Sequence, residues 1–446
     1  MNWRAKAFLA FGDLLWAMAL GLTSSLACVV VRLFFRLLQW LVTGHSGLLA
    51  QAAEGLPPWY RVITPAFGAL AAMAVVWAAR RFAKSGNFEE YVQAVRLHGG
   101  RIAFLPTLWI TISSAFSVAT GAAIGREGSM IQFATATTSW LGEHAALSRI
   151  PLPTQVACGA AAAVATVYHA PIAGVFFAAE IVMGRIMIRT IPLLLVSALT
   201  GGVTGAWLLG GGPLFAIRMF PGMDFGIERS TICAVLLPVL MGLLGPAYYW
   251  LTRSLRNTSR LPLPLLWGGV LVGVLSLSST LVWGNGDAAL LQITQSSPAA
   301  WTLFSILVLR LCATTLCVGT GTVGGVFTPT IFAGGAIGYL GAHLLHMPSP
   351  LFTILSMGCL LAAVTHAPLM ASFMAVELTG QWSLLPYILL GSVIAWTIAR
   401  MISPHSLYAI ATPEPAGEAL ESNPPTAGRR SQRKRPAVME TVGAGQ

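Results

Sequence analysis

Charge is what this chain has least of. Only 9% of its 446 residues are Asp, Glu, Lys or Arg, and just 15 of them are acidic. Soluble domains carry about a quarter charged residues, so this scarcity excludes an ordinary soluble fold. With 56% hydrophobic residues and a mean hydropathy of +0.74, the bilayer is the expected solvent. Cysteine is sparse too. Cys28, Cys158, Cys233, Cys312, Cys317 and Cys359 lie scattered in apolar runs without metal-ligand spacing, and we expect small buried hydrophobes. No small-residue cleavage site closes a short apolar core after Arg4 and Lys6, so the start reads as a polar end leading into a first membrane helix rather than a signal peptide. No nucleophile and base stand at a plausible spacing, which argues against an enzyme.

What is abundant fits the same solvent. The net charge of +11 accompanies 14 Trp and 46 Gly, the profile of membrane helices with basic flanks, interfacial aromatics and close backbone packing. The basic excess therefore speaks of membrane orientation, not of nucleic acid. Part of it, Arg429, Arg430, Arg433, Lys434 and Arg435, sits in a polar tail over 409–446 that is expected to be solvated and disordered.

Apolar segments recur along the chain, and several fall short of the roughly 20 residues that span a bilayer. Short pieces bounded by glycine, such as Gly125 to Gly142 and Gly324 to Gly341, predict helices that stop partway, which a membrane tolerates only where protein or a water-filled cavity satisfies the freed backbone. An internal repeat sharpens the pattern. His169, Ala170, Pro171, Phe176, Ala178 and Glu180 recur as His366, Ala367, Pro368, Phe373, Ala375 and Glu377, an offset of 197. Upstream, Gly125, Phe133, Ala134, Leu141 and Gly142 recur as Gly324, Phe332, Ala333, Leu340 and Gly341, an offset of 199. We expect an all-α polytopic membrane protein of two related halves, 1–210 and 230–408, joined by 211–229. Such repeats place a substrate near the midplane between broken helices. The repeat alone leaves parallel and inverted halves open.

Two glycine-rich helix starts carry the chemistry. In Gly125-Arg126-Glu127-Gly128-Ser129 the first amides of the coming helix have no intrahelical acceptor, and with the helix dipole they can hold an anion. The carboxylate of Glu127 can compete for those amides until it is protonated, and an ionisable residue within a membrane segment is a functional candidate. A capping role with Arg126 as ion partner is the plainer alternative. In Gly324-Gly325-Val326-Phe327-Thr328-Pro329 the amides of Val326 and Phe327 stand bare with no charged side chain, which suits an anion that must bind weakly enough to leave; glycines for close helix contact are the alternative. Tyr408 can donate a hydroxyl to an anion or anchor an interface. His169 with Glu180, and His366 with Glu377, are eleven residues apart, roughly 16 Å along a helix, too far to share a metal ion. No metal or cofactor is expected, and Glu180 and Glu377 should accept hydrogen bonds from protein or water.

GREGS at 125–129, GGVFTP at 324–329 and SLY at 406–408 resemble the signatures of the CLC chloride channels and chloride/proton exchangers over about residues 10–410. VWGNG at 282–286 and ELTGQWSLLP at 377–386 are most similar to the bacterial ClcB-type branch. The resemblance implies two inverted halves, a homodimer in the lipid bilayer of the bacterial inner membrane with a pore in each subunit, and both termini cytoplasmic. It implies chloride as the transported ligand, Glu127 as gate, and Val326, Phe327 and Tyr408 at the central anion site. Arg126 and Gly128 would lend amides near the outer site. Two departures stand out. Where the family has GSGIPE this chain reads Lys84-Ser85-Gly86-Asn87-Phe88-Glu89-Glu90, so Gly86 falls at the anion-binding serine and Ser85 is its adjacent substitute. Ile181 falls where exchangers carry an inner proton-transfer glutamate, next to Glu180. A channel-like pore is therefore expected, with chloride/proton antiport the alternative and a transporter of organic solutes more remote. Soluble regulatory domains are not expected, since only about 38 residues follow Tyr408.

Overall fold

The protein is described by a computed structural model over residues 3–82, 88–145, 149–217, 227–255, 262–347 and 349–406, with side chains described from residue 11 and, within 227–255, from residue 235. These lie in one compact unit, Met1–Ala411. Ser85, Gly86, Tyr408 and the 409–446 tail fall outside the described residues, as does the side chain of Cys233.

Helices follow one another in chain order: α1 Trp3–Thr43, α2 Leu49–Glu54, α3 Pro58–Phe82, α4 Tyr91–Leu97, α5 Phe104–Ala119, α6 Glu127–His144, α7 Leu152–Tyr168, α8 Pro171–Phe176 and α9 Ile191–Leu209. Then come α10 Ile227–Leu255, α11 Pro264–Leu275, α12 Asp287–Ser296, α13 Ala300–Gly319, α14 Phe327–Leu344, α15 Ser349–Thr365, α16 Pro368–Thr379 and α17 Leu385–Ile402. Six of the described helices, within α1, α3, α9, α10, α13 and α17, are long and apolar enough to cross a membrane. The others are shorter or more polar; the glycine-bounded α6 and α14 run 18 residues each.

Polarity runs inside out. Val203, Trp207, Leu236 and Trp301 lie exposed, whereas Ser24, Ser25, Thr135 and Thr138 are buried and bond backbone carbonyls, as Ser24 does to Gly159 at 2.7 Å. The alanine-rich α7 is buried along nearly its whole length, because small side chains let neighbouring helices approach closely. Cys28, Cys158, Cys317 and Cys359 are buried as expected, but Cys312 is exposed. Its helix α13 presents apolar residues outward as well as inward, since lipid accepts them as readily as the core does.

The two halves are inverted. Gly125 and Gly325 form an antiparallel bridge, each N–H donating to the other's carbonyl at 2.7 Å, so equivalent segments run in opposite directions through one point. Ser114 of α5 donates to the carbonyl of Val323 at 2.7 Å, and Thr314 of α13 donates to that of Ala123 at 2.9 Å. Each half thus tethers the other's lead-in segment by the same bond. The backbone here pairs positions 200 apart, one more than the identities Gly125/Gly324 suggest. Glu127 and Phe327, the first residues of α6 and α14, are therefore structural equivalents.

The repeated His-Ala-Pro segments also take one shape. His169 and His366 both lie in the left-handed region, φ 54° and 59°, ending α7 and α15 and turning the chain into α8 and α16, where proline at the helix start suits a position whose N–H has no acceptor.

Candidate functional site

The lead-in segments of α6 and α14 meet at glycines because only glycine fits. A Cβ on Gly128 would stand 2.8 Å from the Gly325 nitrogen, inside van der Waals contact, so the two helix starts converge only while that position lacks a side chain. The N–H groups of Val326 and Phe327 then find no acceptor among the described residues, and they are free for a ligand.

Glu127 begins α6 with 5% of its surface exposed. Its carboxylate takes its own backbone N–H and the side-chain amide of Asn285, which donates to Oε1 at 2.6 Å. The other oxygen, Oε2, is buried without a partner. The sequence suggested a carboxylate sharing the ligand's amides or paired with Arg126. Here the carboxylate does take one helix-start amide, its own, its side-chain partner is a neutral amide 158 residues away, and Arg126 acts through its charge nearby.

Glu127 divides two cavities. The larger, about 480 Å³, is lined by Phe88, Glu90, Gly128, Val326 and Phe327 as well as Glu127. The smaller, about 150 Å³, is lined by Arg32, Arg126, Asn285, Asp287 and Thr328, again with Glu127. Tyr168 faces both, its ring 5.3 Å from that of Phe327 and its hydroxyl 3.3 Å from Thr328 Oγ1. Basic groups gather in the smaller cavity. Arg32 feels Arg126 and Arg36, and Arg32 Nε is buried without a partner.

The two repeat glutamates are spoken for. Glu180 accepts the N–H groups of Leu369 and Met370 at 3.3 and 2.8 Å, and Glu377 accepts those of Ile172 and Ala173 at 3.0 and 2.8 Å. Each caps the helix start of the other half. Ile181 is buried at 3% exposure within a π-helical turn, Phe177–Val182, rather than the uniform α-helix the spacing suggested. Arg96 of α4 donates to the Val182 carbonyl at 3.3 Å and to that of Ile181, closing the end of that turn.

Sequence reasoning passed over Glu90 and Asn285. Glu90 lies outside the membrane-spanning helices, and its Oε2 is buried without a partner. Burial pushes its carboxyl up to about 7 against the pull of the Arg96 charge. Glu90 stands inside the GSGIPE-like segment, read only for its serine position, and Asn285 inside VWGNG, read only as a branch marker; the Asn285 partner is 158 residues away, so spacing carried no signal for it.

Two inverted repeats of broken helices, meeting at free amides beside a buried carboxylate, define a polytopic membrane protein of the transporter and channel class. The sequence pattern of the voltage gated chloride channel family matches residues 67–400. The chain is 34% identical over 413 residues to the voltage-gated ClC-type chloride channel ClcB of Citrobacter koseri, covering 89% of this chain and 98% of that one. It is 36% identical over 407 residues to a putative chloride channel protein, ClcB-like, of Ralstonia nicotianae, covering 87% and 94%. The fold matches the crystal structure of a slow cyanobacterial Cl⁻/H⁺ antiporter with a TM-score of 0.78 at 21% identity, covering 90% of this chain and 97% of that one. A CLC-type fluoride/proton antiporter matches with a TM-score of 0.72 at 20% identity, covering 92% and 99%. The chain belongs to the CLC family of anion channels and transporters, on its ClcB-type side.

Proposed function

We propose that this protein conducts chloride and similar small anions across a bacterial inner membrane through a gated, channel-like pore, with Glu127 as the gate. One observation carries the reading. Glu127 stands where the two cavities adjoin, and the unpaired amides of Val326 and Phe327 open onto the larger of them. Backbone amides at a helix start favour an anion without binding it irreversibly. In this reading Val326, Phe327 and the hydroxyl of Tyr408 form the central site. Arg126 and Gly128 form the outer one, and Ser85 or Gly86 takes the place of the family's serine. The two halves are 1–210 and 230–408, and two subunits pair in the bilayer, each with its own pore and with cytoplasmic termini. The protein needs no cofactor and is not an enzyme.

A second reading, chloride/proton exchange, is favoured by Glu90. A carboxyl that titrates near neutrality borders the same cavity as Glu127, where it could take a proton that Ile181 cannot. Chloride efflux from liposomes, recorded together with proton movement, tests both. Chloride flux without matched proton counterflow supports the channel, matched counterflow supports exchange, and absence of anion flux from correctly folded protein refutes both.

A further inference from the structure

The VWGNG segment does more than mark a branch of the family. Its backbone is gripped by Arg310 of α13, a fully buried guanidinium that donates to the carbonyl of Leu281 at 2.5 Å, of Val282 at 3.2 Å and of Gly284 at 3.0 Å. Trp283 is buried and packs on Gly121 in the lead-in to α6, where a Cβ would come within 2.5 Å of the indole ring. Gly284 and Gly286 take φ values of 77° and 103°, which bend the segment sharply on either side of Asn285. That residue is itself 8% exposed. Its Oδ1 accepts the N–H of Asp287 at 3.2 Å, which fixes the amide so that Nδ2 faces Glu127 Oε1 at 2.6 Å. A buried cation, an indole and two turns thus hold one side-chain amide rigidly against one carboxylate oxygen.

We infer that Asn285 is a positioning residue that latches the ionised Glu127 carboxylate across the junction of the two cavities, and so sets the pH on its own side at which the pore opens. This rests on the reading of Glu127 as gate. An amide N–H bonds a carboxylate more strongly than a carboxylic acid, so the latch favours the charged, blocking form. A proton arriving through the smaller cavity neutralises the carboxylate, weakens the bond to Asn285 and frees the side chain. The other charged and titratable groups around the carboxylate are Arg126 on its own turn, Arg32 from α1, Asp287 from α12 and the Tyr168 phenol from α7, with Glu90, just before α4, lining the larger cavity on its other side. Arg126 and Arg32 favour the ionised form and Asp287 opposes it. Asn285 alone makes a side-chain hydrogen bond to it among the described residues.

The test measures chloride efflux from liposomes against pH on the Asn285 side, for Asn285→Ala and the isosteric Asn285→Asp, each with Glu127 intact and with Glu127→Gln. Losing one hydrogen bond to a charged group should raise flux at neutral pH by about tenfold and move the half-maximal pH up by roughly one unit. Asn285→Asp keeps the acceptor for Asp287 but sets a second negative charge against Glu127, and should move the midpoint further in the same direction. With Glu127→Gln, neither substitution should change the pH profile. An unmoved midpoint in folded Asn285→Asp overturns the latch, as does an equal shift in the Glu127→Gln background. Asn285→Asp decides the matter if Asn285→Ala does not fold. If Glu127→Gln itself keeps full pH dependence, the gate reading fails first. If Glu127→Gln loses it while the Asn285 variants behave as wild type, only the latch fails.

Discussion

The Glu377 carboxylate on α16 accepts the backbone N–H of Ala173 on α8 at 2.8 Å, and Glu180 repays the bond at the same distance to Met370 on α16. Each half caps the other, so two helix starts that would be orphaned in a membrane are satisfied across the repeat axis.

Removing either carboxylate leaves two amides without acceptors. Glu377→Ala and Glu180→Ala should each cost about 2–3 kcal/mol, read as a fall in thermal unfolding temperature in detergent. Glu377→Gln and Glu180→Gln keep one acceptor oxygen and should cost less. Because the caps join the same pair of helices, the double alanine variant should depart from additivity by at least about 0.5 kcal/mol. Additive losses would mean that the caps act independently.

Glu127→Gln should abolish most of the dependence of anion flux on pH at the Asn285 side. Two unit negative charges about 4 Å apart repel by roughly 4 kcal/mol at an effective dielectric near 20, enough for a carboxylate to exclude an anion from the same site. A neutral glutamine removes that exclusion and should leave the pore open across the pH range. A pH profile like that of wild type in liposome efflux would sink the assignment.

Glu90 borders the larger cavity, so pH on that side should act separately. Its carboxyl is held near 7, above its ordinary value, so it is neutral below that pH and negative above it. Anion flux should therefore fall as pH rises through about 7, by a few-fold for a repulsion of order 1 kcal/mol. Glu90→Gln should flatten that limb and leave the Glu127 limb in place. Flux that rises through the same range would contradict the sign.

How much of this was legible in the sequence differs from residue to residue. Glu127, Val326 and Phe327 stood out because a glycine-rich helix start is a local pattern, and the His-Ala-Pro repeat announced two halves. Identity between halves is blind to direction, however, so inversion became visible only at the Gly125–Gly325 bridge. Identity also misplaced the partner of Gly125 by one residue, since the second half has two adjacent glycines, Gly324 and Gly325, and the backbone uses the second. The Asn285 bond joins residues 158 apart, and nothing in VWGNG says which carboxylate it meets. Cys312 lies in an apolar run that faces outward, a distinction composition cannot make when lipid and core are equally apolar. The π-helical turn at Phe177–Val182 leaves almost no trace in an apolar sequence.

Selectivity should follow from the amides. Val326 and Phe327 present N–H groups and no oxygen ring, so chloride, bromide and nitrate should compete with one another while sodium and potassium stay excluded. Reversal potentials in planar bilayers under salt gradients read this directly, and a cation-selective shift would refute it.

Coupling to protons is the sharpest question that the geometry poses. Moving protons against chloride needs titratable groups along a route to Glu127, because a bare proton does not cross apolar side chains. Ile181 offers none, and both oxygens of Glu180 accept amides at the start of α16. What remains among the described residues is Glu90, which shares a cavity with Glu127 but is separated from Ile181 by Arg96, whose charge it feels. We therefore expect passive anion conduction, or weak exchange at most. Liposomes with a steep chloride gradient, and voltage clamped by potassium and valinomycin, decide it. Passive conduction predicts no uphill proton movement. Sustained uphill pumping in fixed stoichiometry would overturn the channel reading, and its loss in Glu90→Gln but not in Glu180→Gln would place the proton's route through the larger cavity rather than along α8.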